Sequence, residues 1–164
     1  LAYTMAHAGS AELFAVLQRA CLERCRQFPM EQLASLLWSF ATVRLGPSFF
    51  KEAQFDVLER INQLSISAVC DVLWSYCASR HRDPHFFKAL LSVLAPSRVA
   101  GNARCALLYP ALLDVRTHFP DMDPEGIERY MGYSRPEFHR AQLAAAMPAE
   151  ALQALTEAMD SLSL

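Results

Sequence analysis

Apolar positions along this chain recur with two nested periods. From Leu33 to Phe40 the apolar residues Leu33, Leu36, Leu37 and Phe40 follow the i, i+3, i+4, i+7 spacing of one helix face, and Val69, Val72, Leu73 and Tyr76 do the same. That period excludes a strand, whose side chains alternate between faces every second residue. The longer period is a repeat of the element itself. Leu36-Leu37-Trp38-Ser39-Phe40 returns 36 residues later as Val72-Leu73-Trp74-Ser75-Tyr76, with Leu33 matched by Val69, Ala41 by Cys77 and Arg44 by Arg80. One helix, here the A-helix, is written twice.

A second helix, B, repeats at the same distance. Leu22-Glu23-Arg24 followed by Gln27 matches Leu58-Glu59-Arg60 followed by Gln63, and Phe14, Cys21, Cys25 and Phe28 match Phe50, Val57, Ile61 and Leu64. The B-helix of a preceding unit therefore opens the visible chain. Pro47, Phe49, Phe50 and Lys51 return as Pro84, Phe86, Phe87 and Lys88 at an offset of 37, one residue having been inserted in the hairpin turn. Gly46-Pro47 reads as a helix stop followed by a helix-starting proline, and Asp83-Pro84 as an N-cap with proline at the first helical position. A weaker third A-helix places Cys105, Leu107, Leu108, Tyr109 and Ala111 35 residues after Cys70, Val72, Leu73, Trp74 and Tyr76. Pro110 falls inside it and predicts a kink or a short helix.

These periods predict an all-α fold, an α-solenoid of tandem helical hairpins with a period of about 36 residues. The array covers residues 1–120, with a partial unit over 10–28, units over about 29–64 and 65–99, and a degenerate unit over 100–120. Residues 121–164 form a divergent, acidic helical cap. In it Asp123-Pro124 reads as a helix start, Ser134 with Glu137 as a capping box opening a helix over 136–146, and 148–162 as a last helix.

Charge sharpens the picture of partners. Residues 1–120 carry twelve Lys and Arg against nine Asp and Glu, and residues 121–164 carry three against eight, within a net charge of −2. Thirteen of the fifteen basic residues are arginine, whose planar fork suits phosphate, although a GC-rich genome gives the same bias. Every long apolar stretch is interrupted by charge, so no membrane span is expected. The start at Leu1 suggests a fragment of a longer chain. Five cysteines, mostly at core-facing positions, fit reduced thiols better than a secreted disulfide framework.

The Leu-Leu-Trp-Ser-Phe-Ala and Leu-Trp-Ser-Tyr-Cys-Ala A-helices, each followed by an Arg and then a Phe-Phe-Lys B-helix, resemble the heptatricopeptide and octotricopeptide repeat proteins of organelles. The FAST-kinase-like repeat region is their neighbour. The resemblance covers residues 11–99 well and 100–120 poorly, and the tetratricopeptide pattern is not met. It implies an α-solenoid, in mitochondria or plastids, that acts on organellar RNA or serves as a structural subunit of a mitochondrial ribosome. Helical-repeat RNA binders line one surface with equivalent side chains of successive units. The recurrent basic positions are therefore the candidate RNA-binding residues: Arg44, Arg80, His81 and Arg82 at the turn edge, and Lys51 and Lys88 in the first turn of the B-helix. Arg24 and Arg60 also recur, near a helix end where they complement the dipole. Trp38 and Trp74 fit core packing better than base stacking.

Chemistry beyond binding has little footing. Cys77, His81 and His85 are spaced by four, but Pro84 breaks the helix that would align them on a zinc ion. Cys21 and Cys25 align with Val57 and Ile61 and so read as small core residues. Asp121 and Asp123 have the chemistry for Mg²⁺, yet capping explains Asp123. With no glycine-rich phosphate loop and no nucleophile motif, the sequence predicts a scaffold and not an enzyme, needing no cofactor or metal. RNA and neighbouring proteins of a large assembly are the expected partners. The alternative is a protein–protein scaffold without RNA contact, which the near-neutral charge favours.

Overall fold

The computed structural model describes residues 11–44, 47–94, 99 and 103–146. Among them every regular element is helical: α1 (Ala11–Leu22), α2 (Met30–Thr42), α3 (Pro47–Glu59), α4 (Ile66–Ala78), α5 (Pro84–Ser92), α6 (Leu108–His118) and α7 (Pro124–Ala146). Short 3₁₀ segments at Cys25–Gln27, Ile61–Gln63 and Ala103–Leu107 lie between them. None of the described helices is long and apolar enough to cross a membrane.

The helical stripe explains why these elements pack. Leu33, Leu36, Leu37 and Phe40 of α2 and Val69, Val72, Leu73 and Tyr76 of α4 are all buried. Ser39 and Ser75 sit fully buried in the same helices and donate their hydroxyls to the carbonyls of Ser35 and Asp71, so neither polar group is left unsatisfied. Local caps set the starts. The Ser65 hydroxyl accepts from the Ala68 N–H ahead of α4, and the Asp83 carboxylate accepts from His85 and Phe86 ahead of Pro84, as the Asp-Pro pair predicts.

Contacts arrange the helices in two rows. In one, α2 packs on α4 and α4 on α6 and the Ala103–Leu107 segment; in the other, α1 packs on α3 and α3 on α5. Between the rows runs an aromatic core, with Phe40 on Phe49 (ring centroids 4.5 Å apart), Phe50 on Tyr76 (5.2 Å) and Tyr76 on Phe86 (4.2 Å). The Tyr76 hydroxyl donates to the Phe50 carbonyl across this core. Polar links join residues 30 to 36 apart: Arg26 to Asp56, Arg60 to the Phe28 carbonyl, Glu31 to the Ser65 N–H, and Tyr130 to the Leu94 carbonyl.

Pro110 has the effect expected of it. The third A-element runs as 3₁₀ over Ala103–Leu107 and as α-helix only from Leu108, leaving the proline in the first turn, where its missing N–H is not needed. The C-terminal part departs from the sequence reading. Ser134 with Glu137 is not a capping box, because α7 runs unbroken from Pro124 to Ala146 with Pro136 inside it. Ser134 is fully buried and turns its hydroxyl back to the Tyr130 carbonyl, while Glu137 pairs with Arg140. Packing of α7 along α6 and the Ala103–Leu107 segment holds the helix through the proline. Gly46 and the helix expected over 148–162 lie outside the described residues.

Candidate functional site

The ends of the first-row helices build the site. After α4 the Arg80 N–H donates to the Cys77 carbonyl and the His81 N–H to the Tyr76 carbonyl, the paired bonds of a Schellman C-cap. That motif needs a left-handed residue, and here it is Arg80, with φ 58°. After α2 the Arg44 N–H donates to the Ala41 carbonyl, and Arg44 has φ 55°. Both helices thus end on an arginine in the conformation that glycine adopts at least cost. Both side chains are exposed, and among the described residues neither guanidinium has an ion pair or hydrogen bond.

These two arginines open onto one groove of about 770 Å³, lined among others by Thr42, Trp74, Ser79, Arg82 and Asp114. A shallower hollow of about 200 Å³ continues from Trp74 to Pro110 and Ala111 of α6. Arg82 lines the larger groove in a fixed pose, its guanidinium donating to Asp114 Oδ1 at 3.0 Å and to the His81 carbonyl at 3.2 Å. Among the described residues the groove therefore presents two positive charges without an ion pair beside one paired charge. Trp74 stacks on Trp38, with ring centroids 6.0 Å apart and planes 30° from parallel. Both indoles are half-buried, so each serves packing while keeping an edge at the surface.

The other expected positions fall elsewhere. His81 faces away from the groove: its Nε2 meets Gln54 Oε1 at 2.6 Å, and its ring lies edge-on to Tyr76. Burial pushes its pKa below the ordinary histidine value. Gln54 in turn donates to Asp83, and the three side chains clamp the turn that carries Arg80 and Arg82 onto α3. Burial works to raise the Asp83 carboxyl, but hydrogen bonds from Gln54 and the Phe86 and His85 N–H groups outweigh it and hold the pKa below the usual value. Lys51 and Lys88 are exposed on second-row helices; Lys88 shares a separate hollow with Asp121, Asp123 and Glu125. Arg60 is a structural tie, donating to the Phe28 and Cys25 carbonyls. Cys77 lines the groove, but burial, then Asp114, pushes its pKa well up, and its thiol points at the Ala111 carbonyl.

Sequence reasoning missed Asp114, which lies 32 residues from its partner with no local pattern to reveal it. The left-handed turns had a signal that went unused: a recurrent arginine just past the helical stripe, where a glycine is the usual residue. Comparisons with protein-family models, curated proteins and solved structures gave no match.

Proposed function

We propose that the chain is an α-solenoid of helical hairpins repeating at about 36 residues and that it works as an organellar RNA-associated scaffold. In this reading it is a structural subunit of a mitochondrial ribosome or another ribonucleoprotein, and its groove takes the phosphate backbone. The observation that carries the reading is the pair Arg44 and Arg80, two exposed guanidinium groups, unpaired among the described residues, on left-handed residues at corresponding helix ends above one groove. Backbone strain kept at a surface position is the kind of feature that function explains better than stability. Trp74 on the groove wall adds an indole edge beside them.

Electrophoretic shift with a single-stranded RNA oligonucleotide, repeated over a salt series, tests this. Arg44→Ala with Arg80→Ala is expected to weaken binding and to flatten the slope of log K against log salt by about 0.7 for each phosphate that is no longer neutralised. Binding that ignores salt and survives the double substitution overturns it. A second reading, a protein–protein scaffold without RNA contact, is favoured by the Arg82–Asp114 pair, since a carboxylate inside the groove repels phosphate. RNA that never shifts at low salt, with a bound protein neighbour copurifying, supports that alternative.

A further inference from the structure

All five cysteines are buried thiols outside any disulfide. Two of them meet: Cys70 in α4 and Cys105 in the Ala103–Leu107 segment place their sulfurs 3.5 Å apart, the Cys70 thiol directed at Cys105. We propose that Cys70 and Cys105 form a reversible intramolecular disulfide that staples α4 to the segment leading into α6. A disulfide has a sulfur separation of about 2.05 Å, so the pair has about 1.5 Å to close. The two elements already pack against each other, so this distance falls within a χ1 rotation and a small shift of a five-residue 3₁₀ segment.

The oxidant is a low-molecular-weight disulfide. The Cys105 thiolate attacks one of its sulfurs and expels the first thiolate; the Cys70 thiolate then attacks Cys105 Sγ and expels the second. Two protons leave the cysteines and end on the two released thiols, and the two electrons lost by the cysteines reduce the reagent. Cys105 suits the attacking role. The Cys70 hydrogen bond lowers its pKa in spite of burial, whereas burial raises those of Cys21 and Cys77 and, with Asp56, pushes Cys25 to about 12. Because both sulfurs are fully buried, exchange runs through local opening of the short segment and not through the native surface.

The test uses the whole chain in oxidised glutathione, with urea below the unfolding transition to promote local opening, followed by alkylation and tryptic mapping without reduction. The expected product joins the peptide 61–80 to the peptide 105–116. Fragmentation places the bond on Cys70, not Cys77, and the melting temperature rises on the order of 10 °C and returns on reduction. Cys70 and Cys105 both recovered alkylated, a bond to Cys77, or glutathione held on Cys105 alone would each overturn the proposal. The wild-type map needs no variant; Cys105→Ala serves as a control that should abolish both the cross-link and the thermal shift.

Discussion

Replacing Arg80 should separate stability from binding, because the residue sits in a backbone conformation it does not favour. At φ 58° a Cβ crowds the following carbonyl, at a cost of roughly 1–2 kcal/mol, from which glycine is exempt. Glycine in turn loses about 0.5–1 kcal/mol more chain entropy on folding than alanine. An arginine at a helix C-terminus also gains a few tenths of a kcal/mol from the dipole, so the clean comparison is between two uncharged variants. Arg80→Ala keeps the Cβ and loses the charge; Arg80→Gly loses both. The glycine variant should be more stable than the alanine variant by about 0.5–1 kcal/mol. For a chain of this length that is a melting temperature higher by roughly 1–4 °C. Circular dichroism melts and urea titrations measure it, and both variants should lose the same affinity for single-stranded RNA in an anisotropy assay. If glycine proves no more stable than alanine, the turn carries no strain and the functional reading of Arg80 loses its physical basis.

Three further outcomes follow from the groove and its clamp. The His81 pKa is lower folded than unfolded, so the unfolded chain takes the proton first: this contribution is complete above pH 6.5 and is lost as pH falls through the folded value. The urea midpoint should drop between pH 7 and 5 in wild type and drop less in His81→Phe; equal slopes would refute the assignment. The depressed Asp83 carboxyl adds a second loss, beginning below pH 3.8. Asp114→Asn frees Arg82 from a pair whose side chains are each about a quarter exposed, at a stability cost within about 1 kcal/mol. If phosphate binds here, RNA affinity at low salt should rise about two- to fivefold, since one repelling charge at close range is worth up to about 1 kcal/mol in water. An unchanged or lower affinity, measured by the same anisotropy titration, argues for the protein-scaffold reading.

What could be read from the chain was what period encodes. The stripes around Trp38 and Trp74, the Asp83 cap and the break at Pro110 are local patterns, and each reappears as a helix, a start or a displaced start. Ser134 and Glu137 show the limit of such reading. Their spacing satisfies a capping box, but only packing against α6 and the Ala103–Leu107 segment decides that the helix continues through Pro136. Likewise Arg44, Arg80 and Arg82 stand out by recurrence or adjacency, while nothing local distinguishes Arg82, which finds Asp114, from the other two. The inward turn of His81 depends on Gln54 from another helix, a partner 27 residues away.

The helix ends also bear on how the groove would work. The C-terminal end of α2, together with that of α4, brings carbonyl dipoles whose negative ends repel an anion. A phosphate there needs cations placed beyond the last turn, and the residue one step past the C-cap is the first position that projects clear of the carbonyls. Arg44 and Arg80 both stand at that step. In the proposed reading the left-handed turn and the charge form one device: the turn ends the helix, and the arginine on it would offset the carbonyl dipoles at the groove. A glycine would make the better turn and leave the carbonyls facing the ligand, so stability and anion affinity pull this position in opposite directions.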